Sequence, residues 1–125
     1  MDLDHLLPSS TQAPQGTIYS YIDGSANTYY ITTSLIQYDP MTRKWSSSGF
    51  YSGGEPATVR INSEQFERIK VILEQAIQNT QDHIANRVKM SGLLYSKKNN
   101  NRYILGANTT SLQAIEAILA HSLKQ

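Results

Sequence analysis

The most regular pattern in the chain is a run of apolar residues at helical spacing in its second half. Over residues 63–84, apolar side chains recur every three or four positions, which puts them on one face of a helix. These side chains are Phe66, Ile69, Leu73, Ala76, Ile77 and Ile84. Asn62 or Ser63 can cap the first exposed amides, so the pattern predicts an amphipathic helix that begins there.

Two further elements are predicted after this helix. Residues 87–95 and 102–106 indicate a hairpin whose turn is a polar run of Ser, Lys and Asn residues. The alternation of apolar and polar positions loses step at Gly92, where a bulge would restore it. A second helix is predicted over residues 111–123, with Thr110 and Gln113 as a capping box.

The first half of the chain has the two-residue period that is typical of strands. Residues 17–23 and 57–61 alternate, and residues 29–38 are rich in β-branched and aromatic side chains. Residues 45–56 lie between the last two of these segments, and we expect them to be part strand and part loop. The predicted order of elements is therefore βββ-α-ββ-α.

This order predicts an α+β fold, in which an antiparallel sheet of about five strands carries two helices on one face. Residues 1–16 are predicted to be a mobile lead, and residues 17–125 to be a single domain, because 125 residues hold one core. With both helices on one face, the other face of the sheet is left bare. We therefore expect a homodimer or a sheet that a partner covers.

Composition excludes several classes of protein. The chain has no cysteine, so disulfide scaffolds, cysteine-based zinc sites and thiol catalysis are excluded. The net charge of +1 divides into five acidic and two basic residues over residues 1–59, and five acidic and nine basic residues over residues 60–125. No apolar run is long enough to cross a membrane and no signal peptide is recognised, so a cytoplasmic location is expected.

No set of residues in the sequence predicts catalysis, and the chain is not expected to be an enzyme. Of the three histidines, His83 and His121 stand near the ends of the predicted helices, where an imidazolium suits the helix dipole. No Ser lies in a nucleophile elbow, and Asp82 beside His83 would point to a different side of a helix. Neither a metal nor a cofactor is expected.

The most unusual stretch is the run of Ser and Gly at residues 46–54. Its glycines permit close backbone approach and its hydroxyls can donate, which favours binding of an anion or a polar partner. A flexible connection or a glycine-kinked edge strand is the other interpretation of this stretch. The predicted binding residues are Arg43, Trp45, Ser48, Gly49, Tyr51, Ser52, Gly53, Gly54, Arg60, Tyr21 and Tyr30.

Three functions follow from these features, in descending order of support. The first is a small non-enzymatic binding protein of the inhibitor, immunity or adaptor kind, which occupies a protein partner through an aromatic sheet face and the Ser/Gly stretch. The alternative is binding of a small anionic or nucleotide-like ligand at residues 46–54. The third and weakest is nucleic-acid contact through the basic second hairpin, because a net charge of +1 provides no dense basic surface.

Overall fold

A main sheet, a small hairpin and two helices make up the computed structural model, which describes residues 13–40, 44–46, 49–51 and 55–124. In chain order the elements are β1 (Tyr19–Ile22), β2 (Thr28–Ile31), β3 (Leu35–Asp39), β4 (Lys44–Ser46), β5 (Gly49–Tyr51), β6 (Ala57–Arg60), α1 (Ser63–Gln78), β7 (Gly92–Ser96), β8 (Asn101–Leu105) and α2 (Thr110–Leu123). A short 3₁₀ turn, Thr80–Asp82, follows α1.

The main sheet has six strands in the spatial order β6-β3-β2-β1-β7-β8, and every neighbouring pair is antiparallel. Strands β1 to β3 form a meander, and the second hairpin joins the sheet beside β1. The remaining strands, β4 and β5, pair with each other. The α+β fold predicted from the sequence is confirmed, with six strands in the sheet instead of five.

The additional strand comes from the segment over residues 29–38, which was predicted as one strand and is two. Thr32 turns the chain between β2 and β3, because its hydroxyl accepts hydrogen bonds from the amides of Ser34 and Leu35 at 3.1 and 3.0 Å. A side chain that bonds neighbouring amides gives the backbone an alternative to the ladder. The consecutive hydroxyl residues at 32–34 are the sequence signal of this turn.

Helix α1 begins at the predicted cap and ends earlier than predicted. Asn62 and Gln65 form a capping box, with both hydrogen bonds at 2.8 Å. The helix stops at Gln78, and His83 reaches back to donate from Nε2 to the carbonyl oxygen of Ala76 at 2.8 Å. That carbonyl has no partner within the helix, so the histidine serves the helix end, as its position suggested.

Helix α2 is capped by residues that lie far apart in the sequence. Its N-cap is Thr109, whose hydroxyl accepts from the amide of Leu112, so the cap lies one residue before the predicted Thr110. Asp82, in the 3₁₀ turn, accepts from the Ser111 amide at 3.0 Å. The Ser111 hydroxyl and amide lower the pKa of Asp82, because both stabilise the carboxylate.

Both helices lie on the same face of the sheet, which the hydrogen bonds of β1 establish. Tyr19 donates to Glu74 of α1, and Tyr21 donates to Glu116 of α2 at 2.7 Å. The two tyrosines are two residues apart in one strand, so they point to one side. The buried core between sheet and helices consists of Tyr19, Tyr21, Ile31, Ile36, Ile61, Phe66, Ile69, Leu73, Ala76, Ile77, Leu94, Leu105, Leu112, Ile115 and Leu119.

Gly92 is the first residue of β7, which begins later than the predicted residue 87, and it provides space for Tyr21. A Cβ atom at this position would lie 2.4 Å from the Tyr21 hydroxyl oxygen, closer than side chains tolerate. The glycine therefore starts the strand in regular register with Leu105, and the predicted bulge is absent. None of the helices in the described part of the chain is long and apolar enough to cross a membrane.

Candidate functional site

The antiparallel register sorts the side chains of the sheet onto two faces. Directly opposed residues of neighbouring antiparallel strands point to the same side. On the face opposite the helices, hereafter the open face, one row of directly opposed residues crosses all six strands: Thr58, Gln37, Tyr30, Ser20, Tyr95 and Arg102. A second row consists of Asp39, Thr28, Ile22, Leu93 and Ile104.

A shallow depression of about 470 Å³ lies on this open face. Ser20 provides its small floor, because Tyr30 and Tyr95 are its direct partners on either side. Neighbouring strands are about 4.8 Å apart, so the backbones of the two tyrosines stand about 10 Å apart across this serine. We call this depression the tyrosine–arginine pocket; it is lined by Ser20, Ile22, Thr28, Tyr30, Leu93, Tyr95, Asn100, Asn101 and Arg102.

Tyr95 is held in place by two neighbours from the second hairpin. The guanidinium of Arg102 lies over its ring, 5.9 Å from the ring centre, and the two residues are directly opposed in the register. The Tyr95 hydroxyl donates to Asn100 Oδ1 at 3.2 Å. Asn100 has a φ of +50°, a left-handed conformation that asparagine tolerates better than most residues. The turn therefore supports one wall of the pocket.

Arg102 is the charged residue of the pocket lining, and its side chain is exposed. Among the described residues the ion pair present is Arg68 with Glu64 on α1, so Arg102 has no carboxylate within pairing distance there. Lys97 and Lys98 are exposed on the adjoining turn. Residues 83–115 contain five basic residues and no acidic one. The pocket is consequently open to an anionic group.

Tyr30 forms the opposite wall of the pocket. Burial raises the pKa of its phenol, and the negative charge of Asp39 raises it further. The phenol therefore stays protonated at neutral pH. An aromatic ring with a polar tip suits contacts with a partner that is part apolar and part polar.

The buried tyrosines lie beneath this pocket and hold β1 to the helices. The hydroxyl groups of Tyr19 and Tyr21 bond to one helix each, while Ser20 between them points to the open face. Burial raises the pKa of both phenols, and the hydrogen bond to Glu74 or Glu116 adds to the effect. The strand that provides the floor of the pocket is thus hydrogen-bonded to both helices.

The structure separates the predicted tyrosine anchors. Tyr30 lies in the tyrosine–arginine pocket, whereas Tyr21 is completely buried under α2 and belongs to the core. Arg60 is exposed on the edge strand β6, directly opposed to Leu35 on the open face, and does not line the pocket. Tyr21 is therefore unavailable to a partner, because the helices already cover it.

The predicted Ser/Gly stretch is described only in part. The backbones of Trp45, Gly49 and Tyr51 belong to the β4–β5 hairpin, in which Trp45 opposes Phe50 and Ser46 opposes Gly49. The other predicted residues of this stretch lie outside the described residues: Arg43, Ser48, Ser52, Gly53 and Gly54. Their predicted binding role stays a prediction.

The sequence patterns did not single out Ser20, Tyr95, Asn100 or Arg102 as one site. Arg102 lies in the basic second hairpin and Ser20 in the alternating segment over residues 17–23, and neither pattern predicts a binding role for them. They meet because β1 pairs with β7, more than seventy residues later in the chain. The alternation of apolar and polar residues around Ser20 and around Tyr95 indicates two strands, but it does not indicate that these strands are neighbours in the sheet.

In the part of the chain that the structure covers, no three His, Asp or Glu side chains come together in a group that could hold a metal ion. Comparisons of the chain with protein-family models, with curated proteins and with solved structures give no match. Function therefore has to be inferred from the side chains that this fold brings together.

Proposed function

We propose that the chain is a small non-enzymatic binding protein that holds a protein partner on the open face of its sheet. The observation that supports this most directly is the tyrosine–arginine pocket, where Tyr30, Tyr95 and Arg102 surround the small floor of Ser20. Tyrosine and arginine are among the residues that carry most binding energy when a partner covers them. Both helices lie on the other side of the sheet, so they leave these side chains accessible.

The composition of the open face favours a partner that binds reversibly over one that is permanently bound. Its two rows mix aliphatic, hydroxyl and amide side chains, and the large apolar side chains that are most exposed, Val71, Val88 and Met90, do not belong to either row. Obligate interfaces are more apolar than this, whereas interfaces of separable complexes resemble the rest of a protein surface.

The hydrogen bonds under the sheet support the same proposal. Tyr19 and Tyr21 attach β1 to both helices, so the strand that provides the pocket floor is fixed before any partner arrives. Arg102 and Asn100 likewise hold Tyr95. A surface that is already ordered loses less conformational entropy on binding.

Quantitative affinity capture from the native host tests this proposal with three forms of the protein. They are the wild type, the pocket variant Tyr30→Ala/Tyr95→Ala, and the helix variant Val71→Ala/Gln75→Ala, which changes exposed residues of α1. We expect one protein to be retained by the wild type and the helix variant and lost from the pocket variant. Circular dichroism establishes that each bait is folded, and Tyr95→Ala alone replaces the double variant if that one unfolds.

Two outcomes contradict the proposal. A partner that the pocket variant retains as well as the wild type would show that the open face is not the binding surface. A partner that only the helix variant fails to retain would show that the binding surface is on α1.

Binding of a small anionic ligand is the second candidate function, and the volume of the pocket favours it. Small-molecule sites occupy about 300–1,000 Å³, a range that includes this pocket, and Arg102 supplies a positive charge. The sequence placed such a ligand at residues 46–54. Thermal shift measurements with a panel of nucleotides and phosphorylated metabolites test it, since a ligand at a hundred times its Kd adds about 2.7 kcal/mol.

The homodimer predicted from the sequence is one form of the main proposal, in which a second copy of the chain is the partner. Light scattering after size exclusion tests this form. A dimer that Tyr30→Ala/Tyr95→Ala converts to a monomer would identify the second copy as the occupant of the open face. The cytoplasmic location stays a prediction, to be tested by fractionation of the host.

A further inference from the structure

We infer that the partner segment bound in the tyrosine–arginine pocket carries a carboxylate, so that the occupant of this site is an acidic segment of a protein. This inference rests on the proposed function and specifies the chemistry of the partner. Arg102 is the charged group of the lining, and its guanidinium has no carboxylate partner among the described residues.

The surroundings of Arg102 point to an anion from outside the chain. No acidic residue occurs over residues 83–115, and the turn beside the pocket presents the exposed Lys97 and Lys98. Asp39, the acidic residue in the two rows of described residues on the open face, is on β3, four strands away from Arg102 on β8. Complementary charge on the partner is therefore needed at the β7–β8 end of the face.

The chemistry of Arg102 suits a carboxylate in particular. Its guanidinium lies 5.9 Å from the centre of the Tyr95 ring, and its planar set of N–H donors matches a planar, two-oxygen acceptor. The amide oxygen of Asn100 is occupied by the Tyr95 hydroxyl. Its amide N–H groups can donate to the same anion.

Another part of the pocket lining is apolar. Ile22 and Leu93 are directly opposed on β1 and β7 and lie in the second row of the open face. When an acidic residue of the partner binds Arg102, the side chain of an adjacent partner residue would contact these two aliphatic groups. The site thus fits an acidic residue next to an apolar or aromatic one.

A protein segment fits these observations better than a nucleic acid does. Stacked bases could use Tyr30 and Tyr95, but a strand that continued across the sheet would bring its phosphates toward Asp39. The net charge of +1 supplies little of the phosphate neutralisation on which nucleic-acid affinity depends. One arginine and two lysines are sufficient for a short acidic segment.

Selection from a phage-displayed library of random dodecapeptides tests the inference on the full chain. We expect the selected peptides to share an Asp or Glu next to an apolar or aromatic residue. Arg102→Gln is expected to weaken a selected peptide about tenfold, and the Glu→Gln form of the peptide to bind equally weakly to both proteins. Arg102→Lys should restore part of the affinity, since it keeps the charge and loses the planar edge.

Arg68→Gln is the matched control, because Arg68 is paired with Glu64 on α1 and should leave peptide affinity unchanged. Selected peptides without an acidic residue, or unchanged affinity with Arg102→Gln, would overturn the inference. Displacement of the peptide by oligothymidylate but not by a Glu-containing competitor would overturn it in favour of nucleic acid.

The main proposal has its own readout in this experiment. If Tyr95→Ala abolishes peptide binding while Arg102→Gln does not, the open face binds proteins and only the acidic specificity is wrong. If neither variant changes binding, both proposals are wrong.

Discussion

On the covered face of the sheet, Tyr19 and Tyr21 are almost without solvent exposure, at 1% and 0%, and each hydroxyl is bonded to a helix carboxylate. On the open face, Tyr30 and Tyr95 are only half-buried and flank a depression. The two faces use the same residue type for different purposes, since burial decides whether a tyrosine stabilises the fold or remains available for a partner.

Covered-face tyrosines also constrain the strands next to them. Tyr21 requires a glycine at position 92. On the same face its ring packs near the ring of Tyr29, which in turn packs near the ring of Tyr38. Ser20 on the other side of the same strand has only the two open-face tyrosines as direct partners. Substitutions on the two faces should therefore differ strongly in their effect on stability.

The largest expected effect is that of Gly92→Ala on the covered face. The new methyl group would lie 2.4 Å from the Tyr21 hydroxyl oxygen, so the buried Tyr21 ring or the strand must shift, and we expect a loss of about 3 kcal/mol in the free energy of unfolding. Urea denaturation measures it. Ser20→Ala on the open face is the control, with a change below about 0.5 kcal/mol. Equal midpoints for the two variants would contradict the described packing of Tyr21.

The next largest effect is the loss of stability when the hydroxyl group of a covered-face tyrosine is removed, compared with that of an open-face tyrosine. Tyr21→Phe removes the donor to Glu116, and we expect a loss of about 1.5 kcal/mol, as for hydrogen bonds to charged groups. Tyr95→Phe removes only the exposed bond to Asn100, so a change below about 0.5 kcal/mol is expected. Thermal and urea unfolding of both variants measure the difference, and similar losses would mean that the two faces are not distinguished by burial.

Alkaline pH should act through the two buried tyrosines of the covered face, Tyr19 and Tyr21. The pKa of Tyr19 and of Tyr21 is raised by burial above the ordinary value of 10.0. Above that pH the unfolded chain loses protons that the folded chain keeps, so stability is complete below pH 10 and falls as the pH rises further. Each tyrosine contributes a slope of about 1.4 kcal/mol per pH unit.

Unfolding free energies measured through this alkaline range test the slope, and Tyr21→Phe should make it shallower by one tyrosine. Ser20→Ala, which removes no titratable group, is the control and should leave the slope as in the wild type. An unchanged slope for Tyr21→Phe would show that this phenol titrates in the folded chain as it does in the unfolded one.

The smallest effect on stability is expected from filling the pocket itself. Ser20→Leu places a larger side chain between Tyr30 and Tyr95 on the open face, where no helix has to move. We expect the free energy of unfolding to change by less than about 0.5 kcal/mol, while binding to the open face is lost. Calorimetry for stability and titration with a selected peptide for binding measure the two effects, and retained binding would argue against the pocket as the site.

Much of the fold was predictable because its signals are local. The spacing of Phe66, Ile69 and Leu73 predicted α1, and Asn62 was available as its cap. The end of α1 was predicted too late. Ile84 matches the helical period, but it lies beyond the helix, where its amide donates to the carbonyl oxygen of Ile104 in β8. An apolar residue at helical spacing can belong to the helix or to the segment that follows it, and the spacing alone does not distinguish the two.

The candidate site was predictable only in part. Tyr30 was selected for its place in an aromatic segment, and the bare face of the sheet was expected from the number of helices. Which tyrosines point to that face depends on register, and a shift of one residue would exchange Tyr21 for Ser20. The wall formed by Tyr95 and Arg102 depends on the pairing of β1 with β7, which no local signal indicates.

The sequence by itself determined the class of the fold, the two helices and most of the strands, because capping residues and apolar periods act over a few neighbouring positions. Tertiary structure decided which face of each strand the helices cover and which hairpin lies beside β1. Those choices depend on contacts between distant segments, such as Tyr21 with Glu116 and with the space left by Gly92. The pocket is a product of the same contacts, since Ser20 faces outward only because its neighbours are held inward.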